Sequence, residues 1–130
     1  MLLPITLSSC AAAGIICIWL GWRIGQLRGQ LKISVGDGGN EALLRRMRAQ
    51  ANFVEYTPFV LLLIAGIELA GKGGVWLPYV AGVFILGRVG HVLGMDGGSL
   101  GMGRNLGILV TMLTLLGLSV FAALIAAGTA

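Results

Sequence analysis

The sequence predicts an all-α membrane protein, a single domain folded as an up-and-down bundle of four transmembrane helices. Three observations carry this. The 130 residues are 57% hydrophobic and only 11% charged, with a mean hydropathy of +0.94, whereas soluble domains carry about 25% charged residues. The apolar residues gather into four stretches of the roughly 20 residues that a helical crossing needs. Finally, the chain lacks the alternating ten-residue segments of a membrane barrel, and helices or closed barrels alone can satisfy backbone polar groups in lipid.

The first helix is expected over residues 2–28, because Leu2 to Trp22 holds no charged residue and ends at Arg23. LSSC at 7–10 has the small-residue character of a lipid-modified cysteine site, but no basic residue precedes it and the apolar stretch continues beyond Cys10; an uncleaved helix is expected. Cys10 and Cys17 stand seven apart on one helical face, about 10 Å from each other and beyond disulfide reach. They are expected as packing residues, and no His or acid shares their helix to suggest a metal site or an activated thiol.

The second helix is expected over 40–70, opening at Asn40 or Glu41, where an N-cap and an acidic first turn are available, and stopping before Gly71. At about 45 Å it projects beyond the bilayer. Thr57 to Ala70 supplies only 14 residues, so the FVEY turn must share in the crossing. Pro58 frees the carbonyl of Val54 and can bend the helix there. The third helix, 75–94, has 13 residues from Val75 to Gly87 before Arg88. Arg88 and His91 therefore lie at membrane depth or in the headgroup zone. The fourth, 104–127, follows the Gly-rich connection MDGGSLGMG.

Arg23, Arg28, Lys32, Arg45, Arg46 and Arg48 border the first loop, Arg88 and Arg104 the third, and Lys72 alone the second. The positive-inside rule then places both termini outside and the two basic loops in the cytoplasm, in a plasma membrane. The net charge of +4 concentrates on one face, which suits topology and anionic lipid rather than nucleic acid.

An ionisable residue inside the membrane is costly and marks a functional site or a structural ion pair. Taking Arg48 as zero and about 100° per residue, Asn52 lies near 40°, Glu55 near −20°, Tyr56 near 80° and Arg45 near 60°. One stripe thus carries guanidinium, amide, carboxylate and phenol, either a site for a small zwitterion or a polar seam between helices. Arg46 points away, as a solvent or headgroup contact. GDGGNE and GMGRNLG lack the context of phosphate loops. The small-xxx-small series Gly21, Gly25, Gly29, with Gly90 and Gly94 and with Gly103 and Gly107, reads as packing within or between subunits.

The run Arg48-Ala49-Gln50-Ala51-Asn52-Phe53-Val54-Glu55-Tyr56 resembles the R-A-x-x-N-x-x-E-Y signature of the MAPEG family, the membrane-associated proteins of eicosanoid and glutathione metabolism. The four-span topology, long second helix and Arg104 opening the fourth helix extend the resemblance over the whole chain, closest to small bacterial members. It implies a homotrimer binding glutathione at subunit interfaces near the cytoplasmic side. By motif position Arg48 would hold a glutathione carboxylate, Gln50 and Asn52 would hydrogen-bond its backbone or carboxylates, Glu55 would take the γ-glutamyl ammonium and Tyr56 would add a hydrogen bond. Arg104 would sit by the sulfur as the catalytic residue, with Arg23 and Arg88 as further binding residues. Catalytic relatives carry tyrosines after the third-helix arginine, where this chain reads Arg88-Val89-Gly90-His91; His91 either replaces one as a donor or makes a local packing contact.

The implied reaction is thiolate attack on a lipophilic electrophile or a lipid hydroperoxide, with glutathione as co-substrate and no metal. A free thiol is only a few per cent thiolate at neutral pH, and lowering its pKa by two units corresponds to about 2.7 kcal/mol. A guanidinium suits this task because it keeps its proton. Two other classes remain: a non-catalytic membrane scaffold or binding member of the same family, and a small four-helix transporter using Glu55, although such exporters carry their essential glutamate in the first helix.

Overall fold

The computed structural model describes residues 2–130 as four long helices and one short 3-10 turn. They are α1 (Pro4–Leu31), α2 (Glu41–Leu69), α3 (Leu77–Met95) and α4 (Met102–Ala126). All four are long and apolar enough to cross a membrane, and no strand is present among the described residues. The boundaries differ from expectation for local reasons. α1 runs three residues past 28 because Lys32, in the left-handed region at φ 56°, closes it with its N–H on the Arg28 carbonyl. α3 starts at Leu77, after Val75, because Pro78 lacks a donor and suits the first turn. The connection before α4 contains a 3-10 turn over Gly98–Leu100.

Asn40 caps α2 as the sequence predicts: its Oδ1 accepts the Leu43 N–H at 2.9 Å, and Glu41 occupies the first turn. α2 passes through Pro58 without interruption. The preceding loop is held by Arg28, whose Nη1 donates to the Gly36 carbonyl at 2.6 Å.

The helices form two hairpins. α1 packs on α2 and α3, α4 packs on α3 and α2, and no Cα atom of α1 comes within 8 Å of one in α4. Two apolar layers fill the bundle. Ala13, Ile16, Leu20, Ala49, Phe53 and Val92 form the layer toward the basic loops. Val60, Ile64, Ile67, Leu77, Ala81, Phe84 and Leu118 form the layer toward the other end. Burying an aliphatic side chain of this size contributes about 1.5–3 kcal/mol in water; within lipid, close contact and hydrogen bonding take over.

Close contact is greatest between α3 and α4. A Cβ on Gly107 would stand 2.5 Å from the Gly87 carbonyl oxygen and 2.6 Å from His91 Cβ, and one on Gly94 or Gly103 would collide with the backbone of the facing helix. The other expected small-residue stripe behaves differently. Added methyls at Gly21, Gly25 and Gly29 would meet nothing within 4 Å, so that stripe makes no packing contact inside the chain. Cys10 and Cys17, expected as packing residues, are instead exposed on α1 in this chain.

Both ends of the bundle are tied by polar contacts. At the end distant from the basic loops, Glu68 on α2 caps α1: its two carboxylate oxygens accept the N–H groups of Ile5 and Thr6, each at 2.9 Å. At the basic end, Arg23 pairs with Asp96 just beyond α3 and lies over the Trp19 ring, 5.2 Å from its centroid. Arg46, expected to face solvent or headgroups, instead donates from Nη1 to the Arg23 carbonyl at 2.6 Å. It anchors α2 to α1.

Candidate functional site

Arg88 is the centre of the polar interior. Its residue is 0% exposed, about 10 Å of helix rise before the end of α3. A buried guanidinium needs acceptors, and three helices supply them. Nη1 donates to Thr111 Oγ1 on α4 at 2.9 Å; Nη2 donates to Asn52 Oδ1 on α2 and lies 3.3 Å from His91 Nδ1 one turn along α3. Thr111 in turn donates to the Gly107 carbonyl at 2.8 Å. None of these acceptors is a carboxylate, so the charge of Arg88 is solvated by dipoles alone.

Toward the basic end this cluster opens into a recess of about 130 Å³ lined by Arg48, Asn52 and Glu55 from α2, His91 and Met95 from α3, and Arg104 and Ile108 from α4. A larger hollow of about 390 Å³ adjoins it, sharing Arg48, Met95 and Arg104 and adding Arg45, Gly94, Gly97, Gly101 and Asn105. Arg48, Glu55 and Arg104 are exposed and Asn52 is half-buried. Two guanidinium groups and one carboxylate therefore face a common space, with Arg88 behind it. The arrangement suits a ligand that carries more negative than positive groups, with an ammonium to meet Glu55.

The structure brings together five of the nine residues singled out in the sequence: Arg48, Asn52, Glu55, His91 and Arg104. Four lie elsewhere. Gln50 stands about 200° around α2 from Arg48, on the opposite face, and is half-buried. Tyr56 is also half-buried and outside the lining. Arg23 is 7% exposed and engaged by Asp96. Arg88 is enclosed behind His91.

A family model for the MAPEG family matches residues 6–124, which is most of the chain and includes every residue of the recess. The chain belongs to the MAPEG family. It is also similar to the inner membrane protein YecN of Escherichia coli strain K12, and to YecN of E. coli O6:H1 strain CFT073, each 34% identical over 70 residues, which is 53% of either partner. The match spans about half the length of these relatives.

Within this MAPEG bundle, sequence reasoning missed Thr111, Asp96, Met95 and Glu68. Thr111 carried a legible signal, because Arg104, Ile108 and Thr111 fall at i, i+4 and i+7 on one face. Met95 stands at i+7 from Arg88 and lines both hollows. Glu68 and Asp96 carried no such signal, since each meets a partner more than 60 residues away.

Proposed function

We propose that this chain is a glutathione-binding membrane enzyme, a glutathione transferase or glutathione-dependent peroxidase acting on lipophilic electrophiles or lipid hydroperoxides. The observation that carries the proposal is the recess in which Arg48, Asn52 and Glu55 meet His91 and Arg104 from two other helices. Glutathione presents two carboxylates, one ammonium and a thiol. Arg48 would hold a carboxylate with Asn52 beside it, Glu55 would take the ammonium, and Arg104 would hold the sulfur as thiolate. Thiolate attack on an electrophilic carbon forms the C–S bond of the conjugate, with loss of a leaving group or, at an activated double bond, uptake of a proton. Attack on the outer hydroperoxide oxygen breaks the O–O bond, releases the alcohol once it takes a proton and leaves glutathione sulfenic acid, which a second glutathione converts to the disulfide and water. Gln50, on the opposite face of α2, and Tyr56, on the Arg48 stripe but outside the lining, fit the homotrimer that the family motif implies, where a ligand at a subunit boundary would meet more of α2 than one recess. Arg23, committed to Asp96, stays outside the proposed ligand set. The protein would reside in the inner membrane like its YecN relatives, with both termini periplasmic and the recess open to the cytoplasm.

The test is ultraviolet thiolate absorbance on adding glutathione to purified protein. Wild type is expected to show the signal, Arg104→Ala to lose it, and Glu55→Gln to bind at least about tenfold more weakly, the size of a lost charged hydrogen bond. Absence of the signal in wild type, with no protection from proteolysis by glutathione, defeats the enzymatic reading. One observation favours a second reading: the third-helix residues facing the recess, His91 and Met95, include no phenol. In that case the chain binds its ligand without activating it, and glutathione protects the protein while the thiol stays protonated.

A further inference from the structure

His91 is the only histidine of the chain, and its surroundings decide which of its nitrogens carries the proton. Arg88 Nη2 lies 3.3 Å from His91 Nδ1. A guanidinium has five donors and no acceptor, so Nδ1 must accept. The proton of the neutral ring then belongs on Nε2. An imidazolium would set an N–H against an N–H and add a positive charge beside Arg88. The groups that face this space from the neighbouring helices are Arg48, Asn52 and Glu55 on α2 and Arg104 on α4, two cations against one carboxylate.

Arg88 itself has no freedom to choose otherwise. Its two terminal nitrogens are fixed by Thr111, Asn52 and His91 from three helices. Gly107 lets α4 close on α3 at His91, because a methyl there would stand 2.6 Å from His91 Cβ and 2.9 Å from its backbone nitrogen. His91 is 2% exposed, with Nδ1 turned to Arg88 and the side chain lining the recess. Nε2 is the nitrogen left for a ligand.

We propose that Arg88 is a positioning residue which holds His91 as the neutral Nε2–H tautomer, making the imidazole a fixed hydrogen-bond donor to an anionic group of the bound thiol. This rests on the glutathione reading for the ligand, but not for the tautomer. The acceptor is a thiolate or a carboxylate. In either case the donor supplies a neutral N–H from α3, and no proton is transferred.

The experiment is nitrogen-15 NMR of histidine-labelled protein in detergent micelles, followed by titration with glutathione. Wild type is expected to show one neutral ring with the proton on Nε2, and the Nε2 signal to shift on adding glutathione. Arg88→Lys, which keeps a donor, is expected to hold that tautomer, and Arg88→Met to release it into a mixture. His91→Gln, which keeps a donor near Nε2, should bind glutathione within about threefold of wild type, and His91→Phe about tenfold or more weakly. S-methylglutathione separates the acceptors: a retained Nε2 shift assigns a carboxylate, a lost one the thiolate. A wild-type ring that is cationic or protonated on Nδ1 overturns the proposal without use of any variant. If the tautomer is as stated while glutathione neither binds nor shifts the signal, the glutathione reading fails and the Arg88 role stands; if glutathione binds with the Nε2 signal unmoved, the donor role fails alone.

Discussion

Replacing Gly107 with alanine tests the α3–α4 contact on which the recess depends. The new Cβ would stand 2.5 Å from the Gly87 carbonyl oxygen, 2.6 Å from His91 Cβ and 2.9 Å from the His91 nitrogen. Carbon atoms settle at about 3.5–4.0 Å, so the methyl is short of room by roughly 1 Å. Two of the three obstructing atoms are backbone, and turning a side chain relieves neither. The helices must separate, and overpacking of this kind costs about 1–3 kcal/mol. The helix itself gains up to about 1 kcal/mol from exchanging glycine for alanine, which would hide part of the effect. Gly117→Ala supplies the reference, since it lies on the same helix and its methyl meets nothing within 4 Å. Unfolding both variants in micelles of increasing sodium dodecyl sulfate fraction should therefore place Gly107→Ala about 1–3 kcal/mol below Gly117→Ala. His91 is among the displaced atoms, so glutathione affinity should fall in the first variant and not in the second. Equal stability of the two variants, within about 0.5 kcal/mol, would refute the close-contact argument.

Other consequences can be measured in the same system. Asn52→Leu takes an acceptor from a fully buried guanidinium and should destabilise the bundle by about 1–3 kcal/mol, with Arg88→Met less harmful in the Asn52→Leu background than alone. Arg23→Ala and Asp96→Asn should couple by about 0.5–3 kcal/mol in a double-mutant cycle; strict additivity would show that the ion pair contributes nothing. Glu68→Ala removes the cap on α1 at a cost of about 1 kcal/mol, read as faster hydrogen exchange at the Ile5 and Thr6 amides and unchanged exchange near Arg88.

The four helices were legible because a membrane helix announces itself through length and apolar composition, and the Asn40 cap because its chemistry is local. The stripe on α2 was legible because Arg48, Asn52 and Glu55 share one helix and a fixed angular spacing. Contacts between helices were harder to read. The angle of Arg46 excludes it from the stripe and points to solvent or headgroups, yet angle on one helix says nothing of a carbonyl on the next. The span length places Arg88 and His91 deep, but the Arg88 partner Thr111 belongs to α4, and hydropathy hides one hydroxyl among leucines. Cys10 and Cys17 show the converse: small apolar side chains suit a helix–helix contact or a lipid-facing surface equally well, and sequence spacing does not distinguish the two.

The α1–α2 and α3–α4 hairpins meet through α2 with α3 and α4, and through α1 with α3, and that meeting line is a seam. One lip of the recess, Arg48, Asn52 and Glu55, belongs to the hairpin α1–α2; the other, His91 and Arg104, belongs to α3–α4. Neither hairpin alone carries the whole lining, so the recess exists only where the two hairpins are docked. A ligand that grips both lips acts as a clasp across that seam, resisting separation by RT ln(1 + [L]/Kd), about 2.7 kcal/mol at a concentration one hundred times Kd. Occupancy of the recess is thereby also a report that the two halves of the chain have met.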